Sequence, residues 1–116
     1  MSGTKKPNLD ALAIPTLHMN GSGLKDLMDP LETAYTAATT LVEALAKMGP
    51  NARDYYVQAN PNEAFEQARR EHSNRIQAVV TIMRELEHIA DALFRQDATR
   101  TRQKQGTPQY PNAPGF

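Results

Sequence analysis

Two short stretches carry most of the side-chain chemistry of this chain: Pro15-Thr16-Leu17-His18-Met19-Asn20-Gly21-Ser22 and Asn51-Ala52-Arg53-Asp54-Tyr55-Tyr56-Val57-Gln58. In the second, Arg53 offers a planar fork of donors and Asp54 an acceptor. Tyr55 and Tyr56 add flat faces with hydroxyl tips, and Gln58 adds an amide that donates and accepts. That vocabulary suits a base or a phosphate-bearing ligand. A second reading is structural: Tyr55 and Tyr56 plug the open end of a helical hairpin while Arg53 and Asp54 pair or cap a helix end. The first stretch, with His18 and Asn20, is open in the same way. It reads as a turn with an N-cap before Leu24, or as a glycine-permitted approach of backbone amides to an anion at a helix start. Its glycines match no phosphate-loop signature.

Catalytic constellations are weaker. Glu85-x-x-His88 has the spacing of a carboxylate-bridged di-iron helix, but both residues flank the apolar seam toward solvent. His72 falls on the seam, where a buried, hydrogen-bonded structural histidine is the simpler account. Arg69, Arg70, Arg75 and Arg84 alternate with Glu66, Glu71, Glu85 and Glu87, as on a solvated face with helical ion pairs. No nucleophile, base and orienter form a set, so the expectation is a protein that is not an enzyme and uses no cofactor or metal.

Two helices must position the candidate residues. Asp29-Pro30-Leu31-Glu32 combines an N-cap acid, a proline at the first helical position and a glutamate placed for a capping box, which predicts a helix starting or restarting at Pro30. Met28, Leu31, Tyr35, Ala38, Val42 and Leu45 then form a seam at three- and four-residue spacing. Lys47, Gly49 and Pro50 stop it, with Gly49 expected in a left-handed cap. Asn60-Pro61-Asn62-Glu63 repeats the start signal. A longer helix follows to about Asp97, with the seam Phe65, Ala68, His72, Ile76, Val79, Met83, Leu86, Ala90 and Leu93. At 1.5 Å per residue the two helices are ~28 and ~55 Å long, so the shorter covers only part of the longer. The apolar face at Leu86, Ile89, Leu93 and Phe94 must therefore meet the 11–28 segment, another copy, or both. The predicted fold is all-α, a helical hairpin over 14–97 assembling as an oligomeric bundle.

Composition bounds the rest. The chain has 116 residues, a formal net charge of +0 and no cysteine, so disulfides and thiolate metal sites are excluded. Charge gives no argument for nucleic acid or for a membrane surface, and no apolar run approaches the roughly 20 residues of a span. The expectation is a soluble, intracellular protein. Residues 1–13 read as a flexible arm. Residues 98–116 read as a tail, basic at Arg100, Arg102 and Lys104 and then rich in proline and glycine, with Tyr110 and Phe116 as aromatics that could dock into a groove.

The two polar stretches, with Ala64, Ala68 and Arg69 after them, resemble a family of small uncharacterised bacteriophage proteins with the patterns P-T-[LI]-H-[LM]-N-G-[ST] and N-[AG]-R-D-Y-Y-x-Q. The resemblance covers about residues 14–95. It implies a phage or prophage origin and residence in the host cytoplasm, but no mechanism. Relatives run a continuous first helix, which makes Pro30 a departure and a candidate bend. The layout of motif, helix, loop and helix is also similar to that of the anti-CBASS cyclic-dinucleotide sponges. The leading expectation is a non-enzymatic oligomer that captures a small anionic or nucleotide-like ligand, or a host protein, through His18, Asn20, Arg53, Asp54, Tyr55, Tyr56 and Gln58. Alternatives are a virion or assembly component whose arms are ordered by neighbouring subunits, and a DNA-associated protein supported only by the basic tail residues.

Overall fold

A computed structural model of the chain describes residues 8–106, with side chains described to residue 102. After a short 3-10 turn at Leu9–Ala11 and an extended segment, helix α1 spans Leu24–Lys47 and helix α2 spans Pro61–Gly106. A second 3-10 turn, Ala52–Asp54, lies in the connection between them. The helices pack antiparallel in a rod of 82 × 28 × 20 Å. No strand occurs among the described residues, and among them no helix is long and apolar enough to cross a membrane.

The seams predicted from three- and four-residue spacing are the faces that meet. Met28, His72 and Leu93 are buried, and every other seam residue on both helices is half-buried. His72 closes the loop end: its Nε2 lies 2.6 Å from the carbonyl oxygen of Leu45, so the ring donates to the last turn of α1. The amide of Met48 donates to the same oxygen at 3.1 Å. A carbonyl at a helix C-terminus has no partner within its helix, which is why a buried donor there is favourable. At the other end Leu17, Met28 and Leu93 form the buried core, flanked by half-buried Leu24, Leu27, Leu31, Ile89 and Ala90.

Four sequence expectations change. Helix α1 begins at Leu24, almost two turns before Pro30, and passes through the proline without interruption. Pro30 removes one donor to the Asp26 carbonyl, but burying Leu24, Leu27 and Met28 against Leu93 outweighs that loss. Asp29 is consequently no N-cap; its carboxylate pairs with Lys25 at 2.6 Å, and the cap residue Gly23 gives no side-chain cap bond. Next, α1 ends without a left-handed glycine, by the 3-10-like Met48 bond at φ −107°. Helix α2 also runs past Asp97 to Gly106, since 98–105 contain neither glycine nor proline. Finally, Leu93 is not an oligomer surface: it is 0% exposed within one chain, because the earlier start of α1 brings apolar cover to it. Leu86 and Ile89 are half-buried and Phe94 is exposed. Residues 1–7, Tyr110 and Phe116 lie outside the described residues.

Candidate functional site

The connection from α1 to α2 is built from its own backbone outward. Asn51 caps the Ala52–Asp54 turn, its side-chain oxygen accepting from the Arg53 amide at 3.0 Å. The amides of Asp54 and Tyr55 donate back to Asn51 and Ala52, and that of Gln58 to Tyr55. This ladder fixes the loop without using the side chains of Arg53, Asp54, Tyr56 or Gln58. Tyr55 supplies the bracing. Its ring lies 6.1 Å from that of Phe65 at 47°, and the Arg69 guanidinium stands 5.8 Å from the Phe65 ring on the way to Glu66, 3.1 Å off. The structure thus divides the predicted set. Tyr55 is half-buried and plugs the hairpin end, while Arg53, Asp54, Tyr56 and Gln58 are exposed, Tyr56 by 71%. None of those four has a side-chain hydrogen bond or ion pair among the described residues.

Beside this loop, at the start of α2, lies an open hollow of about 720 Å³ lined by Gln58, Asn60, Asn62, Glu63, Glu66, Gln67 and Arg70 among others. The sequence placed Asn62 in a helix-start signal and Arg70 on a solvated charged face and did not single out Gln67, since an isolated amide on a helix face carries no spacing signal. Together with Gln58 they place amide donors and acceptors next to a guanidinium, a combination able to read a base edge, while Glu63 and Glu66 in the same lining oppose a phosphate there.

At the far end of α1, Gln96 clamps the first polar stretch. Its side-chain oxygen accepts from the Leu17 amide at 2.9 Å, and its nitrogen donates to the Pro15 carbonyl at 2.8 Å. Leu17 inserts into the core, and His18, Met19 and Asn20 follow in a turn closed by the Gly21 amide on the His18 carbonyl at 3.2 Å. A Cβ at Gly21 would come within 2.5 Å of the exposed His18 ring, which would have to swing aside. The ring therefore lies over Gly21, with His18 and Asn20 exposed. These two residues do not converge with the Arg53–Gln58 loop in one chain. The length of α1, about 36 Å, separates the two groups.

A groove of about 640 Å³ also runs between the helices, floored by Met28, Leu31, Leu86 and Ala90 and rimmed by Glu32, Glu87 and Asp91. Tyr35 crosses it, donating to Glu87 at 2.6 Å. That hydrogen bond, with burial and the carboxylate charge behind it, raises the phenol pKa above its usual value. The groove's acidic rim disfavours phosphate. Glu85 and His88 are both half-buried, and no group of three metal-ligating side chains occurs among the described residues. No protein-family model, curated protein or solved structure matches the chain.

Proposed function

We propose that this chain is a non-enzymatic phage accessory protein that self-associates and captures a small anionic, nucleotide-like ligand in the host cytoplasm, as an antagonist of host defence. The observation that carries the reading is the division of labour in the loop. Among these loop side chains Tyr55 packs against α2, and Arg53, Tyr56 and Gln58 stand in water on a backbone already fixed by its own hydrogen bonds. A guanidinium for phosphate, an aromatic face for a base and an amide for its edge, carried on a pre-ordered turn, lower the entropy lost on capture.

Thermal melts with cyclic dinucleotides and mononucleotides as probes test this. A ligand at about 100 times its Kd adds about 2.7 kcal/mol, a Tm rise of roughly 10 °C for a small domain. That rise should vanish in Arg53→Ala, and mass spectrometry should return the nucleotide intact. No rise with any probe, or a chemically altered nucleotide, refutes the reading. One observation favours the virion-component alternative: Met19 and Val57 are 92% and 79% exposed, as residues covered by neighbouring subunits would be. Mass spectrometry of purified particles tests it.

A further inference from the structure

Among the described residues only Leu17, Met28, His72 and Leu93 are buried, so two helices side by side leave most of both seams partly in water. That surface is open along the interhelical groove of about 640 Å³, floored by Met28, Leu31, Leu86 and Ala90. Phe94, one turn beyond Ala90, continues the α2 wall by helical spacing and is 51% exposed. Two helical walls with an apolar floor make the notch into which a third helix packs in a bundle. The rims decide what that helix must carry. Glu32 stands on the α1 side and Glu87 and Asp91 on the α2 side, all three exposed. Glu87 accepts from Tyr35 through Oε2, and none of the three carboxylates forms an ion pair among the described residues. Neighbouring cations do not neutralise the rim. Lys25 pairs with Asp29, while Arg84 and Arg95, a turn before Glu87 and a turn after Asp91, bridge to neither. A second copy offering the same face would set carboxylate against carboxylate, which opposes association.

We propose that this groove docks an amphipathic helix of another protein, one whose apolar stripe is bordered on both sides by lysine or arginine. Its apolar side chains cover Leu31, Leu86 and Phe94, and its cations meet Glu32 on one border and Glu87 and Asp91 on the other. Glu87 and Asp91 are four residues apart, a rise of about 6 Å, so two cations one turn apart on the docked helix match them in level. The docking uses neither the Arg53–Gln58 loop nor its ligand and does not rest on nucleotide capture.

The probe is a fluorescently labelled synthetic helix of about five turns, with leucine at three- and four-residue spacing and lysine on both borders. Measured by anisotropy, it should bind the wild-type chain. A peptide of the same composition in scrambled order keeps the charge but loses the stripe, and should bind about tenfold more weakly. Asp91→Lys should raise the dissociation constant about tenfold, whereas Asp26→Lys, the same change at an exposed position on the far face of α1, should leave it unaltered. A peptide bordered by glutamate instead should bind Glu32→Lys with Asp91→Lys more tightly than it binds wild type. The three substituted residues are exposed and outside the buried core, so circular dichroism should report unchanged helicity. No binding, equal binding of the scrambled peptide, or equal loss from Asp26→Lys and Asp91→Lys overturns the proposal. So does a dimer of the chain alone that Asp91→Lys dissociates, because a second copy would then fill the groove. A rise in melting temperature with spermine but not with the peptide also overturns it, assigning the groove to a small organic cation.

Discussion

Where α1 begins, Leu17, Met28 and Leu93 close an apolar core and Gln96 satisfies the backbone of the Pro15–Leu17 segment; where α1 stops, Tyr55 and His72 close the hairpin and the remaining polar side chains are left in water. The first end buries its apolar segment and satisfies that segment's backbone, leaving His18, Met19 and Asn20 in water. The second holds its loop with backbone bonds and one aromatic contact, then displays a guanidinium, a phenol and an amide that fold nothing. Under the proposed function, stability and recognition fall largely to opposite ends of one rod. Groups that do not contribute to folding can be tuned for a ligand without lowering stability.

The largest effect expected to break this contrast is at Leu93. Leu93→Asp places an unpaired carboxylate in the fully buried position, at a cost of several kcal/mol against a total of about 5–15. Circular dichroism should show loss of the helical transition; a melt within a few degrees of wild type would contradict the core assignment. His72→Ala should cost less, about 1–3 kcal/mol, for a lost bond and an under-satisfied Leu45 carbonyl, read from denaturant midpoints. Tyr35→Phe sharpens the comparison in the middle of the rod. Because its phenol pKa is raised, the bond to Glu87 contributes fully below the ordinary tyrosine value of 10.0 and is lost as pH climbs past the raised one. Tyr35→Phe should therefore lower the neutral melt modestly and flatten the alkaline fall in Tm, so that variant and wild type converge as pH climbs past the raised value. Arg53→Ala and Tyr56→Phe should have the smallest effect, within about 0.5 kcal/mol, as at exposed positions without partners. A larger loss in both would make the loop end structural after all.

Both seams, the boundaries at Lys47 and Pro61 and the structural role of His72 were legible, because a 3.6-residue period and a buried polar group between helices leave few arrangements open. Pro30 was misread because Asp29-Pro30 is the local signature of a helix start. Only the long-range burial of Met28 against Leu17 and Leu93 shows that the helix has already begun. The extension of α2 to Gly106 was hidden by treating 98–116 as one composition, although its breakers begin only at Gly106. Gln96 left a trace that could have been followed. It lies three residues beyond Leu93, and an extended Pro15–Leu17 segment beside the seam needs both a donor and an acceptor, which one carboxamide supplies. The separation of His18 from the loop was readable, because the first helix, ~28 Å long by sequence, lies between them.

The Gln96 clamp gives the irregular segment before α1 an unusual kinetic property. Loop amides ordinarily exchange their hydrogens with solvent quickly, because nothing protects them between fluctuations. Leu17 donates its amide to a side chain seated on α2 while its own side chain is 5% exposed, so that hydrogen can leave only when the segment lifts off the rod. Its exchange rate reports the opening frequency of this end of the molecule, on the seconds-to-hours scale where helix interiors are read. Beside it, exposed Thr16 and His18 should exchange at nearly free rates. A single slow amide between two fast ones would mark the anchorage of His18 and Asn20, and its acceleration in Gln96→Ala would measure how strongly they are held.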